Sequence, residues 1–204
     1  MKDYDVLIIG GGPAGSTLAS CLLNPAPDER QLKIAILDKS DFPRQKVCAG
    51  WVTPEVMRVL NVDLEDYADG RVLQKISGFK ISLLGQKQVE SSFDGEPVSY
   101  GIRRYEFDDY LLKRSGAELI LGEAFEKMDK VDDGWLVNGK YHAKLVVGAG
   151  GHYCPVARAI GSKGISEQAV VAQEIEFEMN AQQKAGCNID EEVPELFFTP
   201  DLVG

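Results

Sequence analysis

The chain has 204 residues, 44% of them hydrophobic, enough to bury the core of one large domain or two small ones. Its net charge of −10 disfavours a nucleic-acid partner, because an acidic surface repels phosphate backbones. No apolar run approaches the roughly 20 residues that span a bilayer. By elimination this predicts a cytoplasmic protein without a transmembrane segment, and it leaves peripheral membrane contact and the oligomeric state open.

The first forty residues predict a strand–helix–strand unit. The run YDVLIIG at 4–10 is apolar and rich in branched residues, as in a parallel strand buried on both faces. STLASCLL at 16–23 predicts a helix, with Cys21 expected in the core. LKIAILD at 32–38 predicts a second buried strand.

The rest of the chain alternates between two kinds of pattern. Period-two alternation over 72–100 predicts an antiparallel, half-exposed sheet. Other segments predict a short helix capped by Thr53, an amphipathic helix over 103–116, a buried segment at 144–151 and a strand at 169–179. The predicted fold class is α/β. A nucleotide-binding domain (1–70 and 98–163) is interleaved with a second, mostly antiparallel sheet domain (71–97 and 164–204).

Three glycines between the first strand and helix carry the most specific signal. Gly10, Gly12 and Gly15 form G-x-G-x-x-G, which permits a tight turn, close approach of a pyrophosphate and close helix–strand packing. Asp38 ends the second strand, where a carboxylate can bind ribose hydroxyls. This context predicts a dinucleotide, either NAD or FAD, and the N-terminal position favours FAD mildly.

The cysteines and histidines do not predict a metal centre. Four cysteines lie far apart without a C-x-x-C pair, and the chain has two histidines. Cys48 sits in DFPRQKVCAGWVTP, close to Arg44 and Lys46. Two interpretations stay open for it: an inert packed thiol, or a thiol made reactive by the neighbouring cations.

Four stretches in order resemble one family: DYDVLIIGGGPAGSTLA, DKSDFPRQKVCAG, RRYEFDDYLL and VVGAGGHYCPVARAIG. They resemble the FAD-dependent oxidoreductases related to geranylgeranyl reductases, in the p-hydroxybenzoate-hydroxylase-like flavoprotein superfamily. The resemblance covers nearly the whole chain. It implies a Rossmann-like FAD-binding domain and a substrate domain. It also implies reduction of carbon–carbon double bonds in an apolar or isoprenoid small molecule, with NAD(P)H or another reductant as electron donor.

The resemblance also implies roles for individual residues. The pyrophosphate of FAD would be held by Gly12, Pro13, Ala14 and Gly15, and the adenosine end by Asp38 and Lys39. Along the flavin would lie Arg44 and the backbone of Ala49 and Gly50. Cys48 would be near the reactive side, as the candidate catalytic residue. The remaining contacts would come from Arg104 of an R-x-x-F-D helix start with Phe107 and Asp108, from a strand at Phe125, and from Gly150 in GAGG.

Two departures from the family pattern bear on the reaction. Trp51 stands where related reductases often have the last glycine of C-x-G-G, which leaves the substrate undetermined. Gly150-Gly151 replaces the Asp-Gly pair of related hydroxylases, which disfavours aromatic hydroxylation. The alternatives are a flavin monooxygenase or halogenase and, in another class, a non-catalytic FAD-binding fragment. The family's later Gly-Asp stretch does not occur here, so a C-terminally truncated chain that binds FAD weakly is expected.

Overall fold

The computed structural model describes residues 1–24, 30–93, 97–162 and 172–199. The chain divides into two compact units: Met1–Gln45 with Tyr105–Gln168, and Lys46–Arg104 with Ala169–Gly204. The predicted domains, divided near residues 70, 98 and 163, stay a prediction. The compact units interleave in the same manner but change over after residues 45, 104 and 168.

The described residues form strands and helices in both units. In chain order they are β1 (Lys2–Ile9), α1 (Pro13–Leu23), β2 (Ile34–Leu37), β3 (Trp51–Val52), α2 (Pro54–Val59), α3 (Leu64–Ala68), β4 (Leu73–Ile76), β5 (Gly78–Leu83), β6 (Val89–Ser92), β7 (Ser99–Ile102), α4 (Arg104–Arg114), β8 (Glu118–Ile120), β9 (Met128–Val131), β10 (Gly134–Val137), β11 (Tyr141–Gly148), α5 (Pro155–Ala159), α6 (Ala181–Gly186) and β12 (Glu195–Phe198).

A six-stranded sheet organises the first unit. Its order is β8-β2-β1-β11-β10-β9; the first four strands run parallel, and β10 and β9 add an antiparallel edge. Parallel strands covered by helices on both faces read as continuous apolar runs, which is why β1 and β2 were recognisable in the sequence. The predicted α/β fold class is confirmed.

Alternate residues of β1 enter two different cores. Leu7 and Ile9 belong to one buried cluster, while Val6 and Ile8 belong to another that includes Ala19 of α1. The strand is therefore buried on both faces, as predicted. β11 departs from the expectation of a buried segment, because Leu145 is 53% exposed.

The face that α1 buries excludes Cys21. The buried residues of α1 are Gly15, Ser16 and Ala19, and Cys21 is exposed. Each residue advances about 100° around a helix, so Cys21 lies about 200° from Ala19. The expectation that Cys21 is a core residue is wrong.

The described residues of the second unit form two three-stranded sheets, β12-β5-β6 and β3-β7-β4. Every pair is antiparallel except β12 with β5, which is parallel. The helix predicted from Thr53 is present as α2, with the Thr53 hydroxyl accepting a hydrogen bond from Val56 N. Asp63 caps α3 by accepting from the N–H groups of Glu65 and Asp66.

The strand predicted at 169–179 is wrong over its described part. Residues 172–179 form neither a strand nor a helix, and residues 169–171 lie outside the described residues. Side chains anchor this segment instead: Glu174 accepts a hydrogen bond from Cys48 N, and Glu176 pairs with Arg103 at 2.8 Å. In the part of the chain that the structure describes, no helix is long and apolar enough to cross a membrane.

Candidate dinucleotide-binding site

The turn between β1 and α1 admits only glycine at two positions. Gly10 has φ +120°, and a Cβ placed on it would lie 2.6 Å from Ala149 O. A Cβ on Gly15 would overlap the carbonyl oxygen of Gly10. The first glycine therefore allows the turn, and the third lets α1 start against the end of β1.

Gly12 serves a different purpose from its two neighbours in the motif. It is the N-cap of α1 with φ −73°, a conformation open to any residue. The nearest atom to a Cβ there would be Arg44 Nη2 at 3.5 Å, an ordinary contact distance. Glycine at position 12 thus leaves the backbone of the turn uncovered by a side chain at the start of α1. The N–H groups of a first helical turn have no intrahelical acceptor and attract anions.

Asp38 is attached to this turn by its carboxylate. Oδ2 accepts a hydrogen bond from Gly11 N at 2.7 Å, and Oδ1 accepts from Ser40 N at 2.9 Å. A carboxylate can accept about four hydrogen bonds, so the same group retains capacity for ribose hydroxyls. Lys39, next in the chain, is exposed.

Arg44 reaches the same turn from the loop after β2. Its guanidinium stacks over Phe42 at 4.9 Å from the ring centroid, and Nη2 lies 3.4 Å from Asp108 Oδ2. The Phe42 ring itself packs against Gly11, since a Cβ on Gly11 would lie 3.2 Å from the ring. Phe42 was not predicted as part of the site. The sequence signal that could have identified Phe42 is an aromatic residue directly before the P-R-x-K-x-C-x-G loop.

The segment after β11 closes the other side of the turn. Ala149 N donates to Ile9 O at 2.8 Å, and Gly150 N would lie 2.9 Å from a Cβ on Gly10. Gly150 begins a short 3₁₀ turn over Gly151–Tyr153. The carboxyl ends of β1, β2 and β11 therefore meet around the glycine turn, and open α/β sheets bind ligands at the carboxyl ends of their strands.

A polar network supports the Asp38 end of the site. Glu123 N donates to Asp38 O, and the Glu123 carboxylate accepts hydrogen bonds from Asn138, Lys140 and Tyr141. These contacts, led by the Asn138 amide, hold the pKa of Glu123 below its usual value. Burial, followed by the contact with Glu123, raises the pKa of Tyr141 to about 12. Phe125 follows in a segment between β8 and β9, so its predicted placement on a strand is wrong; its ring packs against the buried cluster that contains Leu37.

Comparisons with known proteins agree with this geometry. No protein-family model matches the chain. Over 195 residues it is 27% identical to digeranylgeranylglycerophospholipid reductase 1 of Methanothermobacter thermautotrophicus, covering 88% of this chain and 47% of that protein. It is 30% identical over 172 residues to an uncharacterized protein from the nifH2 5′ region of Methanosarcina barkeri, covering 78% of this chain and 88% of that one.

Two solved structures share the fold. A geranylgeranyl bacteriochlorophyll reductase-like protein of Thermoplasma acidophilum matches with a TM-score of 0.69 and 18% identity, over 97% of this chain and 51% of that chain. A mutant of the halogenase PltM in complex with FAD matches with a TM-score of 0.62 and 24% identity, over 78% of this chain and 36% of that chain.

The chain spans about half the length of the two curated digeranylgeranylglycerophospholipid reductases that it matches. Four of the predicted site residues lie in its second unit. Cys48 is half-buried and Ala49 is exposed. Gly50 has φ +70° and binds β7 through its carbonyl, which accepts from Ile102 N at 2.7 Å. Arg104 is the half-buried first residue of α4.

The first unit brings the predicted residues of the glycine turn together with Asp38, Arg44 and Gly150. The functional roles of the residues in both units, including the catalytic role of Cys48, stay predictions.

Proposed function

We propose that this chain binds FAD at the glycine turn, as the FAD-binding part of a flavin-dependent oxidoreductase. The observation that carries the proposal is the turn itself. Gly10 and Gly15 leave no room for a Cβ, and α1 begins between the Asp38 carboxylate and the Arg44 guanidinium. A dinucleotide-binding turn offers close approach to the backbone, a helix N-terminus and a carboxylate, and a nearby cation adds attraction for the diphosphate.

The residues fit the parts of FAD in the following way. Gly12, Pro13, Ala14 and Gly15 would hold the pyrophosphate, and Asp38 and Lys39 the adenosine, with Gly10 forming the turn. Arg44 would lie where the pyrophosphate leads into the flavin part, and Phe125 would lie near the adenine. The remaining contacts with FAD would come from Cys48, Ala49, Gly50, Arg104 and Gly150. When bound, FAD supplies hydride transfer, and the chain's own residues bind and orient it.

The proposed reaction is reduction of a carbon–carbon double bond in an isoprenoid. The names of the related reductases support this substrate class. An apolar substrate also suits one face of sheet β12-β5-β6, where Ile81, Leu83 and Phe198 are 40%, 43% and 47% exposed. NAD(P)H or another reductant would supply the electrons, in the cytoplasm.

The test separates the two ends of the cofactor. FAD is titrated into the purified chain while flavin fluorescence is followed, and ADP and riboflavin are tested as competitors. Because the described contacts fit the adenosine and pyrophosphate, ADP is expected to displace FAD and riboflavin is expected to compete poorly. Absence of FAD binding, or equal competition by riboflavin, would refute the proposed site.

A flavin halogenase or monooxygenase is the second candidate, favoured by the structural likeness to a FAD-bound halogenase. The FAD-loaded chain is reduced chemically without oxygen and mixed with a geranylgeranyl-bearing lipid. Flavin reoxidation with formation of a saturated product supports the reductase. Reoxidation that requires added oxygen supports the second candidate if it yields a hydroxylated product or, with a halide salt present, a halogenated one.

A further inference from the structure

A buried carboxylate lies behind the cation of the glycine turn. Asp108 of α4 is fully buried, and its Oδ2 is 3.4 Å from Nη2 of Arg44, whose side chain is 20% exposed. A carboxylate inside a protein is costly unless a cation or hydrogen-bond donors compensate its charge. The ion pair with this buried carboxylate therefore restrains the guanidinium of Arg44 to one place in the first unit.

That place is the start of α1. The nitrogen that pairs with Asp108, Nη2, is also the atom 3.5 Å from where a Cβ on Gly12 would stand. The guanidinium plane is supported from another side by the Phe42 ring, which packs against Gly11. Arginine has five N–H donors in a rigid fork, so a guanidinium fixed through one nitrogen keeps others for a second partner.

We propose that Asp108 is a positioning residue that holds Arg44 over the glycine turn, so that the guanidinium meets the diphosphate of the dinucleotide. This inference rests on the proposed function. Asp108 acts through Arg44 and makes no contact with the ligand. Its charge also offsets part of the attraction of Arg44 for an anion, so removing the carboxylate has two opposite effects on binding.

We expect the loss of orientation to outweigh the gain in uncompensated positive charge, so that removing the Asp108 carboxylate weakens ligand binding. An arginine without its buried partner is long and flexible, and it must be immobilised again each time a ligand binds. A diphosphate accepts paired hydrogen bonds from the guanidinium only when the two groups are aligned. We expect Asp108→Asn to weaken FAD binding about tenfold, comparable with the loss of a supporting partner behind a metal ligand.

The experiment is a double-mutant cycle on FAD binding. The wild-type chain, Arg44→Met, Asp108→Asn and the double variant are titrated with FAD, ADP and adenosine, and thermal unfolding is measured for each. Asp108→Asn is expected to weaken FAD and ADP binding in the Arg44 background and to have no further effect beside Arg44→Met. Adenosine, which lacks phosphates, is expected to bind all four chains alike.

Asp109→Asn is the matched control, because Asp109 is the next residue of α4 and pairs with Lys113 at 2.7 Å. This variant is expected to bind FAD as the wild type does. Additive losses in the cycle, an equal loss for adenosine, or tighter FAD binding by Asp108→Asn would overturn the positioning role while leaving the FAD site in place. A wild-type chain that binds no FAD would overturn the proposed function and this inference together.

Discussion

Alanine substitutions at two glycines of one motif are predicted to separate ligand binding from folding. At Gly12 an added methyl meets the protein only at ordinary contact distance. It would stand on the surface that is proposed to face the pyrophosphate of FAD. At Gly15 the methyl would overlap Gly10 O and lie 3.1 Å from the Ile8 side chain. The first substitution should affect FAD, and the second should affect the fold.

The expected magnitudes follow from these surroundings. Alanine as an N-cap costs up to about 1 kcal/mol relative to better caps, and the stiffer unfolded chain returns about 0.4–1 kcal/mol. Gly12→Ala should therefore leave the free energy of unfolding nearly unchanged. Losing one charge-assisted hydrogen bond to phosphate costs about 1.5–3 kcal/mol, which raises the Kd for FAD about 10- to 100-fold. Gly15→Ala should cost about 1–3 kcal/mol of stability from overpacking.

Two measurements on the same samples test this contrast. Flavin fluorescence gives the Kd for FAD, and circular dichroism gives the Tm, which Gly15→Ala should lower by roughly 2–12 °C. Gly186→Ala is the control, because a Cβ there has no neighbour within 4 Å among the described residues. Unchanged FAD affinity in Gly12→Ala would refute the assignment of the site, and an unchanged Tm in Gly15→Ala would refute the packing argument.

Three further outcomes are expected. Glu123→Gln should destabilise the chain near neutral pH, because the folded state lowers the pKa of Glu123. The stabilisation from this carboxylate is present above the ordinary pKa of 4.5 and is lost as the pH falls through the folded-state pKa. The difference in Tm between variant and wild type should therefore shrink on acidification, and a constant difference would contradict this. Asp63→Ala should lower the free energy of unfolding by about 1 kcal/mol, and Thr53→Ala by less, because Asp63 accepts two hydrogen bonds and Thr53 one at 3.4 Å; chemical denaturation that ranks them in reverse would argue against the caps. If the Cys48 thiol takes part in the reaction, Cys48→Ala should lower turnover more than FAD affinity, and equal losses in steady-state rates and Kd would make it a binding residue.

The sequence predicted the centre of the site because its signals are local. Each of these features can be recognised from a few consecutive residues: strands buried on both faces, glycines without room for a Cβ, and an acid at the end of a strand. The glycine turn between β1 and α1, the helix start at Thr53 and the α/β class were all accessible in this way.

Contacts between distant segments were not accessible from the sequence. Asp108 was recognised only as part of a helix-start pattern, and nothing in the sequence pairs it with Arg44, 64 residues earlier. The alternating pattern at 169–179 predicted a strand. Strand formation also requires a neighbour with matching hydrogen bonds, and the described residues 172–179 have none. Cys21 and Phe125 were misplaced because an apolar or small residue in a helix or near a strand does not by itself fix the face or the element.

The pairing of β1 with β11 sets an order of events during synthesis. Lys2 pairs with Tyr141, so the first strand leaves the ribosome about 140 residues before its partner on that side. At roughly 5–20 residues per second, this interval lasts about 7 to 28 s. During that time one edge of a strongly apolar strand remains open to pairing with other chains. The nascent first unit therefore stays incomplete while the first segment of the second unit is being made, and it can close only after β11 emerges.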